Sequence, residues 1–183
     1  MARHDDTPSD ATYGPVLAAV RRLLDGAGVV YEEGRHEPVR TAADAAAARG
    51  CPIEIGAKSI VLKTDDTFRL FVLSGDAVLR SRLIRKHLGV RRTRFATAAE
   101  LRRLTGLAPG AVPPFGRPVL PLELYVDRDL LGQPRIAFTP GVHTVSIIMA
   151  TEDYRRIAAP RVFPFAAPRT DRPAAGAAEE DER

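Results

Sequence analysis

Lysine is scarce in this chain: Lys58, Lys63 and Lys86 stand beside 24 arginines. A lysine kept where arginine is the habitual cation suggests a need for a compact point charge on a flexible stem. Lys58 falls in the segment Gly56-Ala-Lys58-Ser59-Ile-Val-Leu-Lys63. In an extended strand it shares a face with Ile60 and Leu62, while Lys63 points the other way. By spacing alone it reads as a strand-end lysine with its stem against apolar neighbours. The segment is not a phosphate-binding loop, because Ala57 stands where that motif needs glycine directly before the lysine.

A second chemically suggestive stretch is residues 106–121, with five prolines and three glycines in 16 positions. That composition makes a rigid loop with a defined path rather than a flexible linker. Proline donates no N–H, so the donors in its centre are Gly110, Ala111, Val112, Phe115 and Gly116. A stiff backbone presenting a few amides can hold a carbonyl or carboxyl oxygen without reorganising. Further on, Phe138-Thr-Pro-Gly-Val-His143-Thr144 reads as a turn between strands; His143 is either an acid–base group or, the favoured reading, a turn residue kept near the site.

Charge is unevenly spread. The net charge is +4, yet residues 171–183 hold five acids against two bases. Within residues 80–103, nine bases face one acid, Glu100. Two readings fit this run: a polyanion-binding face, or a solvated helix surface in an arginine-rich chain. Other chemistries find no support. Cys51, the only cysteine, precedes a proline and has no partner base, so it reads as a buried or idle thiol. The four histidines lack metal-ligand spacing, and no Gly-x-Ser-x-Gly nucleophile signature is present.

The elements that must position these groups follow from periodicity and caps. Val16, Leu17, Val20, Leu23 and Leu24 predict a helix after Pro15, with a short strand at 29–32. Thr41-Ala-Ala-Asp44 opens an alanine-rich helix closed by Gly50. Residues 58–64 and 68–74 read as a hairpin around Asp65-Asp66. A basic amphipathic helix at 79–88 and a strand at 90–95 precede Thr97-Ala-Ala-Glu100, a capping box. Strands at 119–127, 135–139 and 145–149 and a helix at 151–158 complete the pattern. Helices and strands mix without strict alternation, which predicts a single α/β domain with a mixed, largely antiparallel sheet and flanking helices.

With 183 residues there is room for one ordinary domain, and 45% hydrophobic content is globular. The expected organisation is a disordered tail at 1–12, a domain at 13–163, and a disordered Pro/Ala/acidic tail at 164–183. No apolar run approaches the roughly 20 residues of a membrane span, and the N-terminus is not signal-like. The expectation is a soluble, cytoplasmic protein, with nothing that demands more than a monomer.

In order along the chain, these segments resemble the YbaK/aminoacyl-tRNA-synthetase-associated domain family, which edits mischarged tRNA. The matching pieces include Gly56-Ala-Lys-Ser-Ile-Val-Leu, Phe71-Val-Leu-Ser-Gly-Asp76, Pro109-Gly-Ala-Val-Pro-Pro-Phe-Gly116, Tyr125-Val-Asp127 and the turn at 139–144. The resemblance covers roughly 14–158; the tail beyond it has no counterpart in the family pattern. It implies an editing-domain fold without metal or organic cofactor, and a trans-acting deacylase. The ester it hydrolyses would join a small amino acid to the wrong tRNA, with proline tRNA a frequent case. Its partners would be aminoacyl-tRNA and, in some members, a synthetase. The lysine matching Lys58 is the central functional side chain, and the glycine matching Gly110 shapes the substrate loop. Ala111, Val112, Pro114, Phe115, Gly116 and His143 are then candidate substrate contacts. Arg80, Arg82, Arg85, Lys86, Arg91 and Arg92 would grip the tRNA backbone. A catalytically silent aminoacyl-tRNA-binding module is the competing reading.

Overall fold

The computed structural model describes residues 14–39 and 41–169. Pro15 opens α1 (Pro15–Gly26), and Leu17, Val20 and Leu24 are fully buried at helical spacing. The strand predicted at 29–32 begins later, as β1 (Tyr31–Arg35), because the Val29 N–H closes the helix end on the Leu24 carbonyl at 3.0 Å. Thr41 caps α2 (Ala42–Arg49) by accepting from the Asp44 N–H, and Gly50 ends it in the left-handed conformation. The predicted hairpin is β2 (Ala57–Thr64) and β3 (Thr67–Ser74), paired from Ala57 opposite Ser74 to Thr64 opposite Thr67.

Next come β4 (Ala77–Leu79), α3 (Ser81–Leu88), β5 (Thr93–Phe95) and α4 (Ala98–Thr105). After the proline-rich loop follow β6 (Glu123–Asp127), β7 (Arg135–Phe138), β8 (Val145–Ala150) and α5 (Thr151–Ala158). The described chain ends with β9 (Arg161–Phe163) and β10 (Ala166–Pro168). The main sheet has the order β5-β2-β3-β6-β9, antiparallel around β2 and parallel at β3-β6 and β6-β9. A second sheet, β1-β8-β7, is antiparallel, as is the pair β4-β10. The predicted mixed, largely antiparallel α/β class is the one observed.

Alternation along the strands divides the core between two faces of the main sheet. Val61, Leu70, Val72, Leu124 and Val126 belong to a cluster with α1, α5, the second sheet and Phe115 of the loop. Their neighbours Leu62, Phe71, Leu73 and Tyr125 pack with Ile84 of α3, Phe163 and Phe165. A sheet covered on both faces reads as near-continuous apolar runs, as β3 and β6 do.

The folded unit extends past the boundary expected at 163. Phe165 is fully buried and β10 pairs with β4. The cause is Asp127, itself buried, whose carboxylate accepts the N–H groups of Phe165 at 2.7 Å and Ala166 at 2.9 Å. Composition hides this anchor, since it consists of one aromatic side chain and two backbone amides in a Pro/Ala setting. The expected N-terminal tail, and the rest of the expected C-terminal tail, lie outside the described residues. Among the described residues, no helix is long and apolar enough to cross a membrane, and no cluster of three metal-ligating side chains occurs.

The capping box on α4 is complete: Thr97 accepts from the Glu100 N–H, and Glu100 accepts from the Thr97 N–H. Glu100 also takes two hydrogen bonds from Arg94 at 2.7 Å. The Arg94 bonds first, then the Thr97 N–H, draw the Glu100 carboxyl down to about 2. The unfolded chain binds that proton near the ordinary value of 4.5. Stability from this group is therefore full above about 4.5 and is lost as pH falls toward 2. The thermal midpoint advantage of the wild type over Glu100→Gln is expected at pH 7 and to shrink steadily between pH 4.5 and 2.5. An advantage that stays constant to pH 2.5 would contradict it.

Candidate active site

Gly56 forms a parallel bridge with Ala137, which joins the two larger sheets at the start of β2. Two residues beyond it on each strand, Lys58 and Thr139 border one cavity of about 140 Å³. Its other walls include Ala42, Ala45 and Arg49 of α2, Gly75 after β3, and Gly110 and Val112 of the proline-rich loop. Gly75 is required by close approach: a Cβ there would lie 2.6 Å from the Ile53 carbonyl oxygen. Ser59 also borders the cavity, and its buried hydroxyl oxygen has no hydrogen-bond partner among the described residues. The lysine and the loop, about fifty residues apart, thus share one cleft.

Lys58 is half-buried, and its ammonium donates to the Ala77 carbonyl at 2.5 Å. Burial pushes its pKa below the ordinary lysine value, Arg169 adds to the shift, and Asp76 opposes it. Arg169 comes from the C-terminal extension, where its N–H donates to the Asp76 carbonyl at 3.0 Å.

The loop meets the cavity with only part of the predicted set. Gly110 has φ +85°, a conformation that favours glycine. The Ala111 N–H donates to the Ala108 carbonyl at 3.1 Å, so it is not the free amide that a count of non-proline residues suggests. Among the described residues, the N–H groups of Gly110 and Val112 have no backbone acceptor. Pro114, Phe115 and Gly116 are buried beneath the loop and do not border the cavity. Phe115 lies edge-on to Phe138 and Tyr154, at 5.5 and 5.4 Å between ring centres. The Tyr154 hydroxyl donates to the Pro114 carbonyl at 2.7 Å. These three residues are the loop's foundation, because aromatic packing needs the interior more than the cleft does. His143 also stands outside the cavity wall; its Nε2–H donates to the Pro109 carbonyl at 2.9 Å and braces the start of the loop.

Arg49, which sequence reasoning missed, borders the cavity from the end of α2. A basic residue in a helix's last turn is ordinary dipole compensation, so no signal in the sequence separates it from a surface arginine. Cys51, close by, has its pKa raised by burial against the opposing effect of Arg49, which fits an idle thiol.

The basic run is divided: its residues 80–92 follow α3 and the segment after it, whereas Arg102 and Arg103 are on α4, whose Leu101 packs in the other core cluster. Arg80, Arg82 and Lys86 are exposed and Arg85 is half-buried on or just before α3, which starts four residues after Ala77 and rises about 12 Å. Beyond α3, exposed Arg91 and Arg92 border a second depression of about 410 Å³, with Lys63, Arg85 and Arg94. Asp65 and Asp66 border it too, and the Asp65 carboxylate accepts the backbone N–H groups of Arg91 and Arg92 at 2.8–3.2 Å. A track of cations therefore leads from the Lys58 end of the sheet to the hairpin end.

The family model of the aminoacyl-tRNA editing domain matches residues 36–157. The chain belongs to that family. It is 33% identical over 149 residues to the multifunctional Ser/Thr-tRNA deacylase ProXp-y of Escherichia coli (strain K12), covering 78% of this chain and 88% of the relative. It is 27% identical over 117 residues to the proline–tRNA ligase of Xanthomonas campestris pv. campestris (strain 8004), covering 64% of this chain and 20% of the ligase. A solved structure described as a candidate trans-editing enzyme for prolyl tRNA synthetase superposes with a TM-score of 0.71 at 29% identity. That match covers 84% of this chain and 98% of the other. Within this editing-domain chain, the cleft combines a lysine ammonium, a guanidinium and two loop amides, all hydrogen-bond donors suited to an oxygen-rich substrate.

Proposed function

We propose that the protein is a trans-acting aminoacyl-tRNA deacylase that removes a small amino acid from a mischarged tRNA, proline tRNA among its substrates. The observation that carries this reading is the meeting of Lys58 with the Gly110 loop on one small cavity. An aminoacyl ester is already activated, so positioned donors and water suffice for its hydrolysis. Lys58 binds the tRNA terminus beside the ester, and the Gly110 and Val112 amides face the aminoacyl group. Water adds to the carbonyl carbon, and the carbonyl π pair moves to its oxygen. Collapse then breaks the bond from carbon to the ribose oxygen, which takes the proton lost by water. Ala42, Ala45 and Val112 wall the cavity and exclude longer side chains. Such a second sieve is useful because one methylene gives a synthetase only about 1–3 kcal/mol of discrimination. The protein acts in the cytoplasm as a monomer, one folded unit carries the activity, and a synthetase is a further partner.

The test is a panel of mischarged tRNAs followed for ester loss at several salt concentrations. Hydrolysis of small aminoacyl esters and sparing of large ones is expected. Binding without hydrolysis for every pairing would favour the silent module instead. Replacing Arg91 and Arg92 with alanine is expected to weaken binding of all tRNAs alike. It should also flatten the log–log salt slope by about 0.7–0.9 for each phosphate that the variant no longer neutralises. An unchanged slope would remove these arginines from the tRNA path.

A further inference from the structure

The two cations that border the cavity differ in how far the protein neutralises them. Lys58 has the Ala77 carbonyl as an acceptor and Asp76 as a nearby carboxylate. Arg49 donates to hydroxyls: its Nε–H to Ser146 at 2.7 Å and a terminal N–H to Thr139 at 3.1 Å. Among the described residues no carboxylate pairs with it. A guanidinium has five N–H donors, so three remain. A partly buried charge left unpaired is costly unless something completes its bonding. One terminal nitrogen reaches toward Gly56, 3.9 Å from where a Cβ would stand there, on the cavity wall.

The guanidinium is also held in place. Ser146 accepts from Arg49, and its oxygen lies 2.7 Å from Nε2 of His36, to which its O–H donates in the tautomer that carries the proton on Nδ1. The Nδ1–H of His36 then donates to the Glu37 carbonyl at 2.8 Å. The chain of bonds has one consistent direction, from Arg49 through Ser146 and His36 to the backbone. Ser146, which is buried, lies in β8, and Thr139 follows β7, so two strands of the second sheet fix the orientation before substrate arrives.

We propose that Arg49 is a substrate-binding residue of this site, its free N–H groups holding the ester carbonyl oxygen as that oxygen gains negative charge. The inference rests on the deacylase reading and adds the charged group that meets the oxyanion. A cavity near 150 Å³ holds a benzene-sized molecule, so this one accepts a small aminoacyl group rather than a nucleotide. The oxygen that reaches Arg49 inside it is therefore the carbonyl oxygen, not a terminal phosphate. Preorganised donors aimed at developing charge give most when they need no reorganisation. Ser146 and Thr139 are positioning residues.

The test uses the full chain and a mischarged tRNA from the panel, with folding compared by circular dichroism and thermal midpoint. Arg49→Gln is expected to lose about 10²–10³-fold in kcat. KM and affinity for deacylated tRNA, which carries the same phosphates, should stay within about threefold. Arg49→Ala is expected to regain part of its rate with millimolar guanidinium, which a structural defect would not do. Ser146→Ala, which leaves the charge but loosens it, lowers kcat less and leaves KM alone, and it carries the test if Arg49→Gln does not fold. Retained kcat in a folded Arg49→Gln, or a loss seen only in tRNA affinity, would overturn the proposal while leaving the deacylase reading intact. Absence of ester loss with the wild type would overturn both.

Discussion

Replacing Lys58 with alanine is expected to lower kcat for ester hydrolysis by about 10²–10³-fold, the usual effect of losing one preorganised donor. Lys58 reaches the cleft from the second residue of β2, and the Ala77 carbonyl holds its ammonium in place. Lys58→Arg is not expected to restore the rate, because a planar fork cannot occupy the position of a compact ammonium in a cavity this small. Burial and Arg169 lower the Lys58 pKa against the opposing effect of Asp76, so its charge is lost at a lower pH than in an ordinary lysine. The enzymatic rate above spontaneous hydrolysis should fall correspondingly early on the alkaline side. Single-turnover assays on mischarged tRNA across pH measure both effects. Wild-type hydrolysis by Lys58→Ala would remove the lysine from the mechanism. Loss of hydrolysis with tRNA binding intact would separate chemistry from recognition and count against a silent binding module.

The largest stability effect is expected from Phe115→Ala, at about 3–5 kcal/mol. Phe115 is 1% exposed and packs edge-on between Phe138 and Tyr154. Truncation leaves a void that joins α5, β7 and the underside of the loop, and rigid surroundings close such voids only partly. For a chain of this size the thermal midpoint should drop by on the order of 10 °C. Phe115→Leu should cost less and leave the preference between small and large aminoacyl esters unchanged, because the ring does not border the cavity. A broadened substrate range without loss of stability would instead make Phe115 a wall of the sieve.

The two phenotypes follow from where each residue lies, and only part of that was legible beforehand. The Lys58 segment and the glycine of the loop carry family motifs, so their meeting on one cavity could be expected from the chain. Phe115 and Gly116 carry the same motif yet serve the core, because a motif records which residues recur together and not which way each side chain faces. Ala111 counts as a donor in any tally of non-proline residues, but a local turn to Ala108 takes its amide. Arg49 shows the opposite failure. It looks like a helix-ending arginine until the second sheet supplies two hydroxyls to hold it.

The amino-acid order by itself determined the helices with their caps, the β2-β3 hairpin, the α/β class and the family. Each depends on neighbours a few residues apart, where period, cap chemistry and turn residues act directly on the backbone. Tertiary structure alone decided that Gly56 and Ala137 would bridge, that Asp127 would capture the backbone at Phe165, and that Arg49 would enter the cleft. Those contacts join residues 38 to 97 positions apart. At such separations, packing of whole sheets and burial of polar groups select the partners, and local spacing carries no record of the choice.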